Sequence, residues 1–292
     1  MTPARFYEFN SESLSVDRTR IQSNAVRKGQ RILRSDDWVP GSRSVSGSME
    51  VDMQSKGLGL LLEQMFGGAV VAGAGPYTHT CTPGDLPSMT LQVGRTPITG
   101  AVIPFTYTGV TCASWSIACA VNDIAKISLA LIGKDEVTST ALATAAYPTA
   151  PTFMTFVGGS LTIASGTVAN VKSVNLAGDN GLGGQRMYLG SATTEKPVET
   201  GRRAYNGTFE VDFTSETLHD YYVDGDENAL VLNFSDGDAS SLVITMNVRY
   251  DGSTPQTNGY DITTQSVGFE AVATAADSTA ITAVYTTSDG SL

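Results

Sequence analysis

The sequence predicts a mainly β protein organised as two tandem β-sandwich domains, each with one short flanking helix. Three observations predict it. The composition favours strands and turns, with 30 glycines, 41% hydrophobic residues and only 16% charged ones. Apolar and polar residues alternate over several stretches, which is the period of a half-buried strand. And the stretch GSMEVDM at 47–53 returns as GTFEVDF at 207–213, an offset of 160 positions.

The repeat reaches beyond those seven positions. At the same offset Arg43 matches Arg203, Ser13 matches Ser173, and Leu14 and Val16 fall in step with Val174 and Leu176. Downstream, Ser55 matches Ser215 and Leu58 matches Leu218. A gapless correspondence of this length predicts an internal duplication, with one domain at 1–150 and the other at 151–292.

Each element has a physical reason. Met49, Val51 and Met53 alternate with Glu50 and Asp52, and Phe209, Val211 and Phe213 alternate with Glu210 and Asp212. Each strand should then meet a helix. Leu58, Leu61, Leu62, Met65 and Phe66 fall on one helical face, with Ser55 as its N-cap and Gly67 as its stop. In the second copy Ser215 caps, Leu218, Tyr221 and Tyr222 repeat the first turn, and Gly225 ends it. A hairpin follows each helix. Trp115, Ile117, Cys119 and Val121 share a face, Asn122-Asp123 turns, and Ile127, Leu129 and Leu131 return. Leu242, Ile244, Met246, Val248 and Tyr250 open the second hairpin, and Val267, Phe269 and Ala271 close it. Residues 134–155, rich in Ala, Thr and Pro, read as a linker, and Ile281 to Thr287 as a last strand.

Candidate chemistry is weak throughout. His79 and Cys81 lack a second ligand pair, so no metal is expected. Asp224, Asp226 and Asn228 imitate the start of a calcium loop, but Ala229 and Ser235 stand where glycine and glutamate are needed. The run GGAVVAGAG at 67–75 lacks the Lys-Ser or Lys-Thr of a phosphate loop and reads as a flexible loop. No catalytic residue and no cofactor are expected. Cys81, Cys112 and Cys119 make an odd count, which fits a reducing compartment rather than a disulfide framework. The N-terminal residues lack the apolar run of a signal peptide, so assembly in a cytoplasm is expected.

Charge is unevenly spread. The net charge is −11, yet residues 1–43 hold eight of the 18 Lys and Arg against five acids. A basic N-terminal arm on an acidic body fits self-association. The inter-subunit candidates are Arg18, Arg20, Arg27, Lys28, Arg31 and Arg34.

With these residues in view, the chain resembles the major tail tube proteins of long, flexible-tailed bacteriophages. The segments that carry the resemblance are GSMEVDMQSKGLGLLLEQMFG at 47–67, its echo GTFEVDFTSETLHDYY at 207–222, VKSVNLAGDNGLGGQR at 171–186 and the hairpin at 114–134. The resemblance implies tail-tube-type sandwiches that close a multi-subunit inner β-barrel, in rings stacked into a conduit for DNA. It implies a virion protein whose partners are its own copies and other tail proteins (tape measure, terminator and distal tail proteins). DNA would pass without specific binding, and an acidic lining suits that. Glu50, Asp52, Glu210 and Asp212 are the lumen-facing candidates. If each chain carries two barrel-forming units, three chains make the ring; if one, six. Two other classes stay open: another virion β-protein such as a tail terminator or capsid decoration protein, and a carbohydrate-binding or adhesin sandwich.

Overall fold

The computed structural model describes residues 4–26, 28–29, 31–184, 186–252, 254–257, 259–274 and 279–291. In chain order the first half comprises β1 (Ser11–Glu12), β2 (Ser15–Gln22), β3 (Trp38–Asp52), α1 (Gly59–Phe66), β4 (Gly67–Ala72), β5 (Tyr77–Pro83), β6 (Met89–Arg95), β7 (Ile103–Ala120), β8 (Lys126–Gly133) and β9 (Asp135–Val137). A single turn of 3-10 helix at Phe156–Gly158 opens the second half. It comprises β10 (Gly159–Ile163), β11 (Gly166–Thr167), β12 (Val171–Asp179), β13 (Ala204–Asp212), α2 (Thr217–Asp224), β14 (Glu227–Ser235), β15 (Ser241–Gly252), β16 (Thr264–Ala271) and β17 (Ile281–Thr287).

All of these strands hydrogen-bond into one antiparallel network that does not close on itself. Its spine is an eight-stranded run in the order β2–β3–β8–β7–β12–β13–β16–β15. The order repeats after four strands: β2–β3–β8–β7 from the first half, then β12–β13–β16–β15 from the second. The ladders repeat too. Glu50 stands opposite Ser128 on β8, and Glu210 stands opposite Ser266 on β16. The first strand of each unit departs from the constant offset. Ser11, not Ser13, opposes Glu50 as Ser173 opposes Glu210, a slip of two residues. A two-residue slip keeps every side chain on its own face, so the sequence pattern does not reveal it.

The remaining strands join this run at its two long members. The N-terminal part of β7 carries β6 and β9, and the N-terminal part of β15 carries β14 and β17. β5 of the first half pairs with β17 of the second, and β4 and β10 extend the network. The boundary expected near 150 falls in the coil between β9 and β10, and strands on both sides of it feed one core. That core runs from Met49, Leu62, Phe66 and Trp115 to Phe209, Leu232, Val267 and Tyr285 without a break. The expected linker is partly ordered: it holds β9, and Phe153 and Thr155 bridge to Gln54 and Ile124.

The helices sit where the apolar spacing places them, but the caps differ. α1 buries Leu61, Leu62, Met65 and Phe66, and no side chain caps its N-terminus. Ser55 is instead buried, where its Oγ accepts from the backbone N–H and hydroxyl of Thr152. Ser215 likewise does not cap α2 but donates to Thr217. Gly225 ends α2 in the left-handed conformation at φ 69°, with its N–H on the Tyr221 carbonyl. The glycine run after α1 is not a loop at first, because Gly67–Ala72 forms β4 and pairs with β5. β7 and β8 are joined through 121–125, where the expected turn at Asn122-Asp123 forms with Asn122 at φ 67°, whereas 253–263 join β15 to β16.

The join between the units is tight. β12 pairs with β7 from Ser173↔Ala120 to Asp179↔Ser114. A Cβ at Gly178 would fall 2.3 Å from the Trp115 indole, so only glycine lets the two backbones approach over that ring. The indole Nε1 donates to the Met65 carbonyl at 3.1 Å and fixes the ring against α1. Gly178→Val should therefore cost at least about 1–3 kcal/mol through overpacking. Because both halves share the core, calorimetry should show one transition, lowered by roughly 2–4 °C for each kcal/mol. Two separate transitions, with only one displaced, would show that the halves fold independently.

Candidate functional site: the polar sheet face and its edges

From the C-terminal part of β3 across to β15, the strands of the run turn every second side chain toward the core, while β2 at the edge buries none of its own. The other set makes a broad outer face. One row across it reads Glu50, Ser128, Ser116, Ala177, Asn206, Glu270 and Arg249. The next reads Asp52, Lys126, Ala118, Asn175, Thr208, Gly268 and Asp251. A third carries Ala120, Ser173, Glu210 and Ser266. The face is thus small and polar, with no large apolar side chain in these rows. Charge on it leans acidic. Asp179 and Asp212 add to the carboxylates of those rows, and Lys126 and Arg249 are the bases within them.

The four lumen candidates all lie on this one face. Asp52 accepts from Asn10 Nδ2 at 2.6 Å, and Ser128 donates weakly to Glu50 at 3.5 Å. Lys172 pairs with Asp212 at 2.7 Å. None of these bonds turns a carboxylate into the core; all four remain partly exposed. Among the described residues no group of three or more metal-ligating side chains gathers, and no helix is long and apolar enough to cross a membrane. His79 is buried and bonded through Nε2 to the Asp289 carbonyl at 2.8 Å.

The face is wide and polar, and it runs without interruption across strands of both halves of the chain. The family model described as phage tail tube protein matches residues 2–271. The chain belongs to the phage tail tube protein family. No curated protein sequence matches it significantly. This tail tube protein is therefore a structural component of the phage virion tail, from a family whose members self-assemble into a tube.

The N-terminal arm of the tail tube protein is not a loose appendage. Its residues 11–22 form β1 and β2 on the edge of β3, and Leu14 is buried. Two side chains anchor it. Tyr107 donates its hydroxyl to the Leu14 carbonyl at 2.9 Å. Arg95 donates to the same carbonyl at 2.6 Å and makes a fork onto Glu12, with both bonds at 2.9 Å. The guanidinium also lies 4.6 Å from the Phe105 ring centroid. Sequence reasoning missed this clamp, since Glu12 and Arg95 are 83 residues apart. Beyond the clamp the basic candidates are displayed outward. Arg18, Arg20, Lys28 and Arg31 are exposed, Arg34 pairs with Asp36, and Arg27 lies outside the described residues. Ile21, Val26, Ile32 and Leu33, interspersed with them in the sequence, are exposed as well.

Two strand edges also escaped the sequence. Among the described residues no strand pairs with the outer edge of β2, and on β15 the β14 ladder stops at Arg249, short of Tyr250–Gly252. Unpaired edges of this kind invite a further strand.

The clamp gives a pH dependence. The fork from Arg95 holds the Glu12 carboxyl below its ordinary value of 4.5. A carboxyl with a depressed folded value contributes stability above its unfolded pKa and loses it as pH falls through the folded one. Amide exchange of residues 11–22 should therefore accelerate relative to β12 below about pH 4. The Glu12→Gln variant should show the faster exchange already at neutral pH and little further change in acid. Identical acid profiles for the two proteins would mean that the clamp does not hold the strand.

Proposed function

We propose that three copies of this chain close one ring of the tail tube of a long, flexible-tailed phage, with true threefold and pseudo-sixfold symmetry. Residues 1–150 and 151–292 act as two copies of one barrel-forming unit, fused in tandem. The observation that carries this reading is the strand order of the eight-stranded run, which repeats after four strands. Each unit offers one edge and accepts the other, as cyclic closure requires. Fusion makes every second contact of the ring intramolecular, at an effective concentration of roughly millimolar for a short connection.

In this reading the outer face of the run lines the lumen. Glu50, Asp52, Glu210 and Asp212 face the passing DNA and offer it no cation to replace its counterions, so a polyanion slides during ejection. Arg18, Arg20, Arg27, Lys28, Arg31 and Arg34 meet acidic surface on the neighbouring chain or ring. Rings stack on one another, and the ends of the tube meet tape measure, terminator and distal tail proteins. The chain performs no catalysis and takes no cofactor. Six chains per ring, each using its eight strands as a single unit, is the competing arrangement.

Native mass spectrometry of isolated rings should give three chains, and electron microscopy of the purified protein should show hollow tubes with threefold averages. Six chains would remove the fused-unit reading. For the lumen, tubes bearing Glu50→Lys, Asp52→Lys, Glu210→Lys and Asp212→Lys should retain DNA in a salt-sensitive way and eject it more slowly. Unchanged ejection and no retention would place the four on the outer wall.

A further inference from the structure

We infer that β2 of one chain pairs, antiparallel, with the Tyr250–Gly252 end of β15 on the next chain, in the register that β12 takes on β7 within the chain. The inference rests on the ring reading above and names the seam that closes it. The chain already contains one such seam, in which the first strand of the second unit covers the C-terminal part of β7. The segment 9–17, which runs through β1 into the start of β2, is the counterpart of β12, since Ser11 and Ser173 hold the same place opposite Glu50 and Glu210. β15 is the counterpart of β7, since the ladder Ser114–Ala130–Ser48 recurs as Asp251–Gly268–Thr208. The pair Gly178↔Trp115 then becomes Val16 opposite Gly252, and Asp179↔Ser114 becomes Asp17 opposite Asp251. Within the chain, among the described residues, both of these edges lack a strand partner.

Charge favours the same docking. In the internal seam Asn180, the residue after β12, donates to the Met65 carbonyl in the last turn of α1 at 3.2 Å. Its counterpart after Asp17 is Arg18, which is exposed. The matching place on the next chain is the last turn of α2, beside Gly252 and stacked through Tyr221 on Tyr250. That turn ends on Asp224 and holds no basic residue, so carboxylate and helix dipole are both negative there. Arg18 supplies the missing cation. The register creates one like-charge pair, Asp17 with Asp251, and sets it diagonally from Arg249.

The experiment uses the full chain assembled into tubes. Residues directly opposite in an antiparallel pair have Cα atoms about 4.5–5.5 Å apart, within the span of a disulfide. Under mild oxidation the Asp17→Cys plus Asp251→Cys protein should give an inter-chain ladder on a non-reducing gel, ending at the ring size. Asp17→Cys or Asp251→Cys alone should give none. No cross-link, or a cross-link only when Thr19→Cys replaces Asp17→Cys, overturns the seam. If the paired variant fails to assemble, Arg18→Glu should weaken assembly and Asp224→Arg should restore it; absence of rescue overturns the proposal as well. A ring of six chains that carries the cross-link leaves the seam standing and removes the threefold reading. A ring of three without it does the reverse.

Discussion

A sheet that ends must leave one row of backbone donors and acceptors unpaired, and that constraint governs this molecule. Four strands in the order β2–β3–β8–β7 would expose such a row along the outer part of β7. The second half covers it with β12, and in doing so presents a new row on β15. Nothing inside the chain can end the series, because each unit that satisfies an edge generates another. Only a closed barrel removes edges altogether. Among the described residues the outer edge of β2 and the Tyr250–Gly252 end of β15 stay unpaired, one at each end of the run.

The clamp at Leu14 shows how the first strand is kept ready. An edge strand held by one neighbour frays easily, because half of its backbone groups face water. Arg95 and Tyr107 place four side-chain bonds on Glu12 and the Leu14 carbonyl, drawn from strands β6 and β7 that lie far from it in sequence. The same anchorage turns the basic residues beyond it into a displayed surface rather than a tail. Arg20 lies 5.5 Å from the Trp38 ring centroid, which ties β2 to the start of β3.

Much of this was legible in the sequence where local chemistry decides structure. The alternation around Glu50 and Glu210 gave the right faces, the apolar spacing from Leu58 to Phe66 gave α1, and Asn122 gave the turn. The stretch from Ile281 to Thr287 is a strand with the limits expected. What stayed hidden was non-local. No spacing tells that β5 pairs with β17, or that β7 meets β12, because those contacts join segments tens to hundreds of residues apart. The slip that aligns Ser11 rather than Ser13 with Ser173 preserves the two-residue period and so leaves no trace in the pattern. The caps failed for a related reason: tertiary contact with Thr152 took Ser55 away from the helix that local rules assigned it. The four carboxylates were placed on one face by alternation, while the companions that complete the face came only with the ladders.

The two connections between the paired strands are unequal in length, since 121–125 separate β7 from β8 while 253–263 separate β15 from β16. In a ring of fused pairs, long and short connections would alternate around the rim. A neighbouring ring laid on that rim would find its match only after a third of a turn, and a sixth of a turn would set long against short. The tube would then have a built-in azimuthal gearing, three-toothed where a ring of identical units would be six-toothed, resisting twist in coarser steps.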